Sequence, residues 1–255
     1  MTSTPLDSGT VTLAVADGVA TVTFAHPKSN SLPGVLLRAL ADTITAAGND
    51  PSARVVVLRS GPGPFCAGAS FDEMVAITDP AQGKEFFLGF ARVILAMIRA
   101  PKPVVTRVHG KVVGGGCGIV AASDYVFAVE KAAMRLSELA VGLGPFVVGP
   151  AIERKVGHAA YSAMALDADW RDSAWVESHG LYTHRLPDVA ALDAAMEPFV
   201  ARLAAANPDA TAGIKRVCWL GTEGWEALLD ARATMSGEHV LSAHTRAAIA
   251  AFKAS

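Results

Sequence analysis

Three consecutive glycines, Gly114, Gly115 and Gly116, sit in the stretch RVHGKVVGGGCGIVAASD, residues 107–124, between an apolar run at 102–108 and a second apolar segment, Cys117 to Ala122. Without a Cβ, glycine lets the backbone approach another group closely. Where such a loop opens a helix, unbonded N–H groups and the positive end of the helix dipole point outward together. That arrangement favours negative charge, either a phosphate or an oxyanion formed during a reaction. A tight turn that only packs a helix on a strand satisfies the same residues, so the rest of the chain must choose between the two.

Taken in order, the chain alternates strands with helices. Residues Val11 to Phe24 alternate around Asp17-Gly18, a favoured two-residue hairpin turn, with Val15 facing Ala20, Leu13 facing Val22, Val11 facing Phe24 and Thr12 facing Thr23. After the loop HPKSNSLPG, Pro33 in a first-turn position begins a helix with Leu36, Leu40, Ile44 and Ala47 on one side, and Gly48 ends it. The run Val55 to Leu58 reads as a strand buried on both faces. The irregular loop SGPGPFCAGASFDEM precedes a helix predicted from Pro80 to Arg99, then a strand from Val104 to Val108 flanked by Pro101 and Pro103. Behind the glycines come a short helix and a strand, Tyr125 to Val129. Strand and helix recurring with short connections argue for an α/β domain. From Pro145 onward apolar positions fall at helical spacing, at 152–156, 159–166 and 190–203, with helix starts at Asn207-Pro208 and Thr222.

Composition removes several classes of function. A chain of 255 residues, 51% hydrophobic and 18% charged, buries a sizeable globular core. Lys plus Arg number 22 against 24 Asp plus Glu, with no long basic run, so neither nucleic acid nor a membrane surface is an expected partner. No leader pattern and no span of 18 apolar residues is present, which predicts an untargeted, cytoplasmic protein. Cys66, Cys117 and Cys218 lack CxxC spacing and read as small buried hydrophobes, with no metal site expected. The seven histidines are scattered and read as structural or solvated. Gly114, Gly116 and Glu138 partly imitate a dinucleotide fingerprint, but the position three after Gly116 is Ile119, which leaves a nicotinamide enzyme as a weak alternative.

Two glycine-bearing loops, PFCAGASF and HGKVVGGGCG, each follow a strand and precede a helix, so that each can offer an N–H to one shared oxygen. Together with HPKSNSLPGVLLRAL near the start and AAIAAFK at the end, these motifs resemble the crotonase superfamily of enoyl-coenzyme A hydratases and isomerases over most of the chain. The resemblance implies a spiral of ββα units over residues 1–195 and a helical oligomerisation region over 196–255, assembling as a homotrimer or a dimer of trimers. It implies an acyl-CoA thioester substrate of the kind found in fatty acid metabolism, with no separate cofactor. The N–H groups of Ala69 and Gly115 would form the oxyanion hole. CoA would lie near Pro27, Lys28, Ala67, Gly68, Phe71 and Gly114, with Phe252 and Lys253 contributed by a neighbouring subunit.

The acids depart from the family pattern. The first of the two glutamates used by hydratases falls on Gly118; the second falls on Glu138, between Leu136 and Leu139, where an apolar setting would raise its pKa. Ser70 replaces a common Asp, and GLGPFVVGP replaces a glycine-rich segment. One carboxylate suffices to shift a double bond, and it can also suffice for adding water, so isomerisation and hydration both stand. A member that has lost chemistry and only holds acyl-CoA is the alternative of another class. Met74, Phe86, Phe87, Phe90, Phe146 and Trp170 are the residues expected to set the width of the pocket.

Overall fold

The computed structural model describes residues 2–6 and 9–254, with side chains described for residues 9–251. Strands β1 (Thr2–Leu6), β2 (Gly9–Ala16) and β3 (Val19–Ala25) run antiparallel. The β2–β3 register is the one the alternation predicts, from Val11 opposite Phe24 to Val15 opposite Ala20. Asp17 and Gly18 both take positive φ, 50° and 77°, as a two-residue hairpin turn of this hand requires.

From β3 onward the sheet becomes parallel. Helix α1 (Gly34–Asn49) carries the chain to β4 (Val55–Ser60), and α2 (Phe71–Ala76) with α3 (Pro80–Arg99) carries it to β5 (Val104–Val108). Then follow β6 (Val112–Val113), α4 (Gly115–Ala121), β7 (Tyr125–Val129) and β8 (Met134–Arg135). The expected face of α1, Leu36, Leu40, Ile44 and Ala47, is fully buried. Pro33 stands just outside α1 and the helix runs one residue past Gly48. Its first N–H is capped from a distance, Gly34 N donating to Glu73 Oε2 at 2.6 Å. Asp79 caps α3 by accepting from the N–H groups of Ala81 and Gln82.

A second, two-stranded sheet, β6 parallel to β8, was not legible in the hydrophobic pattern. Isolated parallel bridges extend this layer, Cys66 with Val112 and Leu32 with Ala69. Each turn of the chain therefore contributes a strand to the large sheet and a short segment to the small layer before its helix. This is the spiral of ββα units that the resemblance implies.

The last third is helical apart from β9 (His184–Leu186), which pairs with β7 and completes the order β1-β2-β3-β4-β5-β7-β9. Its helices are α5 (Gly149–Val156), α6 (His158–Asp167), α7 (Ser173–Ser178), α8 (Val189–Ala205), α9 (Pro208–Cys218), α10 (Trp225–His239) and α11 (Ala243–Ala254). The position 195/196 lies inside the unbroken α8. Asn207 caps α9 as expected, but Thr222 does not start α10: its hydroxyl donates to Trp219 O and closes the preceding turn. No helix among the described residues is long and apolar enough to cross a membrane.

One buried ion pair ties α9 to the sheet. Lys215 Nζ lies 2.8 Å from Asp124 Oδ2 and donates to Met97 O and Lys102 O, while Asp124 accepts from Val104 N and Trp219 Nε1. Burial holds the Lys215 pKa below its ordinary value, with Asp124 opposing that shift. Removing one partner leaves a charge buried without compensation. Lys215→Ala should therefore lose about 3–5 kcal/mol of unfolding free energy in urea titration; a loss below about 1 kcal/mol would show that the pair is not buried in solution.

Candidate active site

The two glycine loops are stitched together by backbone hydrogen bonds. Phe65 N donates to Lys111 O at 2.9 Å and Val113 N to Cys66 O at 2.9 Å, and Gly114 N reaches Arg135 O at 2.9 Å. Where the loops cross, a Cβ on Gly68 would stand 3.1 Å from Val113 O and 3.6 Å from Gly114 Cα. Both glycines adopt positive φ, 87° at Gly68 and 54° at Gly114, where an L side chain is strained.

This crossing orients two N–H groups. Leu32 bonds to Gly68 O and Ser70 N on either side of Ala69, so the N–H of Ala69 itself points away from Leu32. Gly115 is the first residue of α4, where N–H groups have no partner within the helix. Ala69 and Gly115 line the same chamber. Phe90 packs so tightly over Gly115 that no Cβ fits there.

The chamber offers ≈ 50 Å³ of free volume and opens into an outer mouth of ≈ 560 Å³, the two sharing Ala67, Ala69, Phe71, Ser137 and Val141. Gly68 and Gly114 line the chamber, and Lys28 lines the mouth, paired with Asp72. Of the expected width-setting residues, Met74, Phe87, Phe90 and Phe146 wall the chamber. Phe86 instead stacks edge-on behind Phe87 and Phe90, at ring separations of 5.2 and 6.4 Å. Trp170 belongs to the mouth, where Lys111 Nζ lies 5.0 Å and the Arg135 guanidinium 6.0 Å from its ring centre. Pro27 borders a separate groove with His26 and Asn30. The side chains of Phe252 and Lys253 lie outside the described residues.

The polar side chains of the chamber are Ser137, Glu138 and Ser236. A Cβ on Gly114 would lie 3.4 Å from Glu138 Oε1, which places that carboxylate against the glycine loop. Glu138 as a residue is half-buried, but its Oε2 is closed off and has no hydrogen-bond partner. Burial pushes its pKa up to about 7. At neutral pH such a group both holds and releases a proton.

The sequence profile of the enoyl-CoA hydratase/isomerase family matches residues 14–254. The chain belongs to the enoyl-CoA hydratase/isomerase family. A probable enoyl-CoA hydratase of Mycobacterium leprae is 28% identical over 80% of this chain and 72% of its own length. A (7aS)-7a-methyl-1,5-dioxo-2,3,5,6,7,7a-hexahydro-1H-indene-carboxyl-CoA hydrolase of Rhodococcus jostii is 35% identical over 48% of each chain, so the match spans about half the length of that relative. Among solved structures, an enoyl-CoA hydratase of Mycobacterium avium superposes with a TM-score of 0.83 at 26% identity, covering 96% of both chains. The crotonase architecture inferred from the motifs is thus the one this chain adopts.

Gly118, on which the resemblance places the first acid, is tightly packed. A Cβ on Gly118 would stand 2.6 Å from both Cβ and Cγ1 of Val148, so the space is taken. Val148 belongs to the segment GLGPFVVGP, residues 142–150. Ser70 caps α2 by accepting from Glu73 N.

Some residues that build the site were not singled out by the sequence. Asn30, buried at φ 54°, donates from Nδ2 to Gly61 O, Pro62 O and Pro64 O, and its Oδ1 accepts from His26 N. It fixes the entry to the Ala69 loop from the N-terminal segment. Its only sequence signal is an asparagine in a turn-rich loop, where αL backbone is tolerated. Ser236 reaches the chamber from α10, far along the chain. Cys66 and Cys117 are buried as expected, with the Cys66 thiol pushed up to about 12 by burial, but Cys218 is exposed.

Two outcomes are expected from this packing. Gly118→Ala should lower stability by about 1–3 kcal/mol through overpacking, read as a fall in thermal midpoint; an unchanged midpoint would show that Val148 yields. For Glu138 the folded pKa lies above the unfolded one, so the native state binds more protons and this group's contribution to stability falls as pH rises from about 4.5 to about 7. Glu138→Gln should flatten that slope in urea unfolding between pH 4.5 and 8, and parallel slopes in the two proteins would refute the buried carboxylate.

Proposed function

We propose that this chain is an acyl-CoA enzyme in which the thioester carbonyl oxygen sits between the N–H groups of Ala69 and Gly115 while Glu138 moves a proton. The observation that carries the reading is one carboxylate, set against the glycine loop in a largely apolar chamber, with Val148 packed beside Gly118. Removing a proton from Cα of a 3-enoyl thioester drives electron density onto the carbonyl oxygen. Two fixed backbone donors meet that charge without reorganising, each worth on the order of 3 kcal/mol. Glu138, now protonated, returns the proton to Cγ, and the double bond has moved from the 3 to the 2 position. Double-bond isomerisation is the reaction this geometry supports best, because it balances with a single acid/base group.

Hydration is the second reading. It needs Glu138 to take a proton from water and then protonate Cα, and relatives named as hydratases favour it. In either case CoA arrives as part of the substrate and no other cofactor enters. The cationic and aromatic mouth, Lys28, Lys111, Arg135 and Trp170, suits the phosphates and base of CoA. Assembly as a homotrimer or a dimer of trimers would cover the apolar face of α9, where Ile214 and Val217 are 65% and 62% exposed.

Incubation with 3-enoyl-CoA, crotonyl-CoA and methylglutaconyl-CoA in heavy water, with products followed by mass spectrometry, separates the readings. Deuterium in a rearranged product supports isomerisation, and a mass gain of water supports hydration. Glu138→Gln should lower kcat by about 10²–10⁴, and wild-type kcat/KM should rise with pH through about 7 as the base form appears. Near-normal turnover by Glu138→Gln would remove Glu138 from the mechanism. Acyl-CoA binding without exchange, double-bond shift or water addition in any substrate would indicate a protein that only holds its ligand.

A further inference from the structure

The inner chamber is small because aromatic rings close it, and those rings are not equally fixed. Phe87 and Phe90 are buried on α3 and locked by the edge-on ring of Phe86. Helix α3 is itself held against α10 by a glycine contact, since a Cβ on Gly83 would stand 2.7 Å from Gly237 Cα. That wall is anchored by two helices in backbone contact. Phe146 differs. It lies in the loop before α5, half-buried, with its N–H donating to Gly144 O at 2.8 Å, so the chain doubles back within three residues. Its ring folds over Gly144 and leaves no room for a Cβ there, and it meets the His239 ring edge-on, 5.2 Å away at 74°.

We propose that this site selects short acyl groups, of about four carbons, and that Phe146 is the residue that sets the limit. The inference rests on the acyl-CoA reading and deepens it by naming the substrate class. The chamber that Ala69 and Gly115 line holds ≈ 50 Å³, room for a short chain, against ≈ 560 Å³ in the adjoining mouth, room for the CoA portion. Each methylene buried in the chamber should raise affinity about fourfold. Once the chain reaches the aromatic wall that gain stops, and further methylenes must displace a packed ring. The loop-borne ring of Phe146 is the one whose loss opens the chamber without separating α3 from α10.

Calorimetric titration of the wild-type protein with acetyl-, butyryl-, hexanoyl-, octanoyl- and decanoyl-CoA tests this without requiring turnover. Affinity should rise about fifteenfold from acetyl to butyryl, then fall at least tenfold by octanoyl. In Phe146→Ala the ratio of octanoyl to butyryl affinity should increase at least tenfold, and Phe146→Leu, which keeps the loop filled, should show a smaller shift in the same direction. Octanoyl-CoA bound by the wild type as tightly as butyryl-CoA would overturn the length limit. A short-chain preference unchanged in both variants would overturn the role of Phe146. Failure to bind any of the five thioesters, acetyl-CoA included, would overturn the acyl-CoA reading itself and the length limit with it, an outcome distinct from equal binding of all lengths.

Discussion

The crossing of the Gly68 and Gly114 loops is the contact on which the site depends. Two backbones meet there with no side chain between them, each at a positive φ and each bonded into the small second sheet layer. A Cβ on Gly68 would press on the Val113 carbonyl, 3.1 Å away, and a side chain at Gly114 would be strained at its positive φ. The rigidity comes from the ladder Phe65–Lys111, Cys66–Val113 and Gly114–Arg135 rather than from the glycines themselves. Glycine allows the approach, and β-pairing holds it.

Around that crossing the glycines are closely packed. Val148 fills the space beside Gly118, where a Cβ would stand 2.6 Å from its Cβ and Cγ1. The backbone at the crossing is set separately, α4 starting at Gly115 and the Leu32 bridge orienting Ala69. The result is a chamber with one buried acid, whose poorly solvated Oε2 accounts for the raised pKa. One short segment, residues 142–150, carries both Val148, packed beside Gly118, and Phe146 of the chamber wall.

The helical third serves this site from outside. Lys215 and Asp124 fasten α9 beneath the sheet, α10 closes the chamber with Ser236, and Arg107 clamps Asp193 of α8 through two bonds of 2.6 and 2.8 Å. Helix α11 lies against the loop that follows Glu138, where Thr245 Oγ1 donates to Gly142 O and Arg246 reaches Ile77 O. The turn holding Glu138 is therefore braced by its own chain's C-terminal helix as well as by the bonds from Val141 N and Leu143 N to Glu138 O.

The sequence alone determined the hairpin and its register, the buried parallel strands, the long helix after Asp79, the two glycine loops and the isolated position of Glu138, because each is written in local periodicity, turn chemistry or a run of adjacent residues. The 3.6-residue spacing also marked much of the last third as helical, though it missed β9, three residues long and paired only at a distance. What the tertiary structure decided are contacts between residues far apart in the chain: Asn30 tying down residues 61–64, Cys66 pairing with Val112, Val148 occupying the space beside Gly118, Ser236 entering the chamber, and Phe86 and Pro27 standing outside it. Two-residue strands and isolated bridges carry no period long enough to read, and the volume left beside a glycine depends on which side chain the fold brings there.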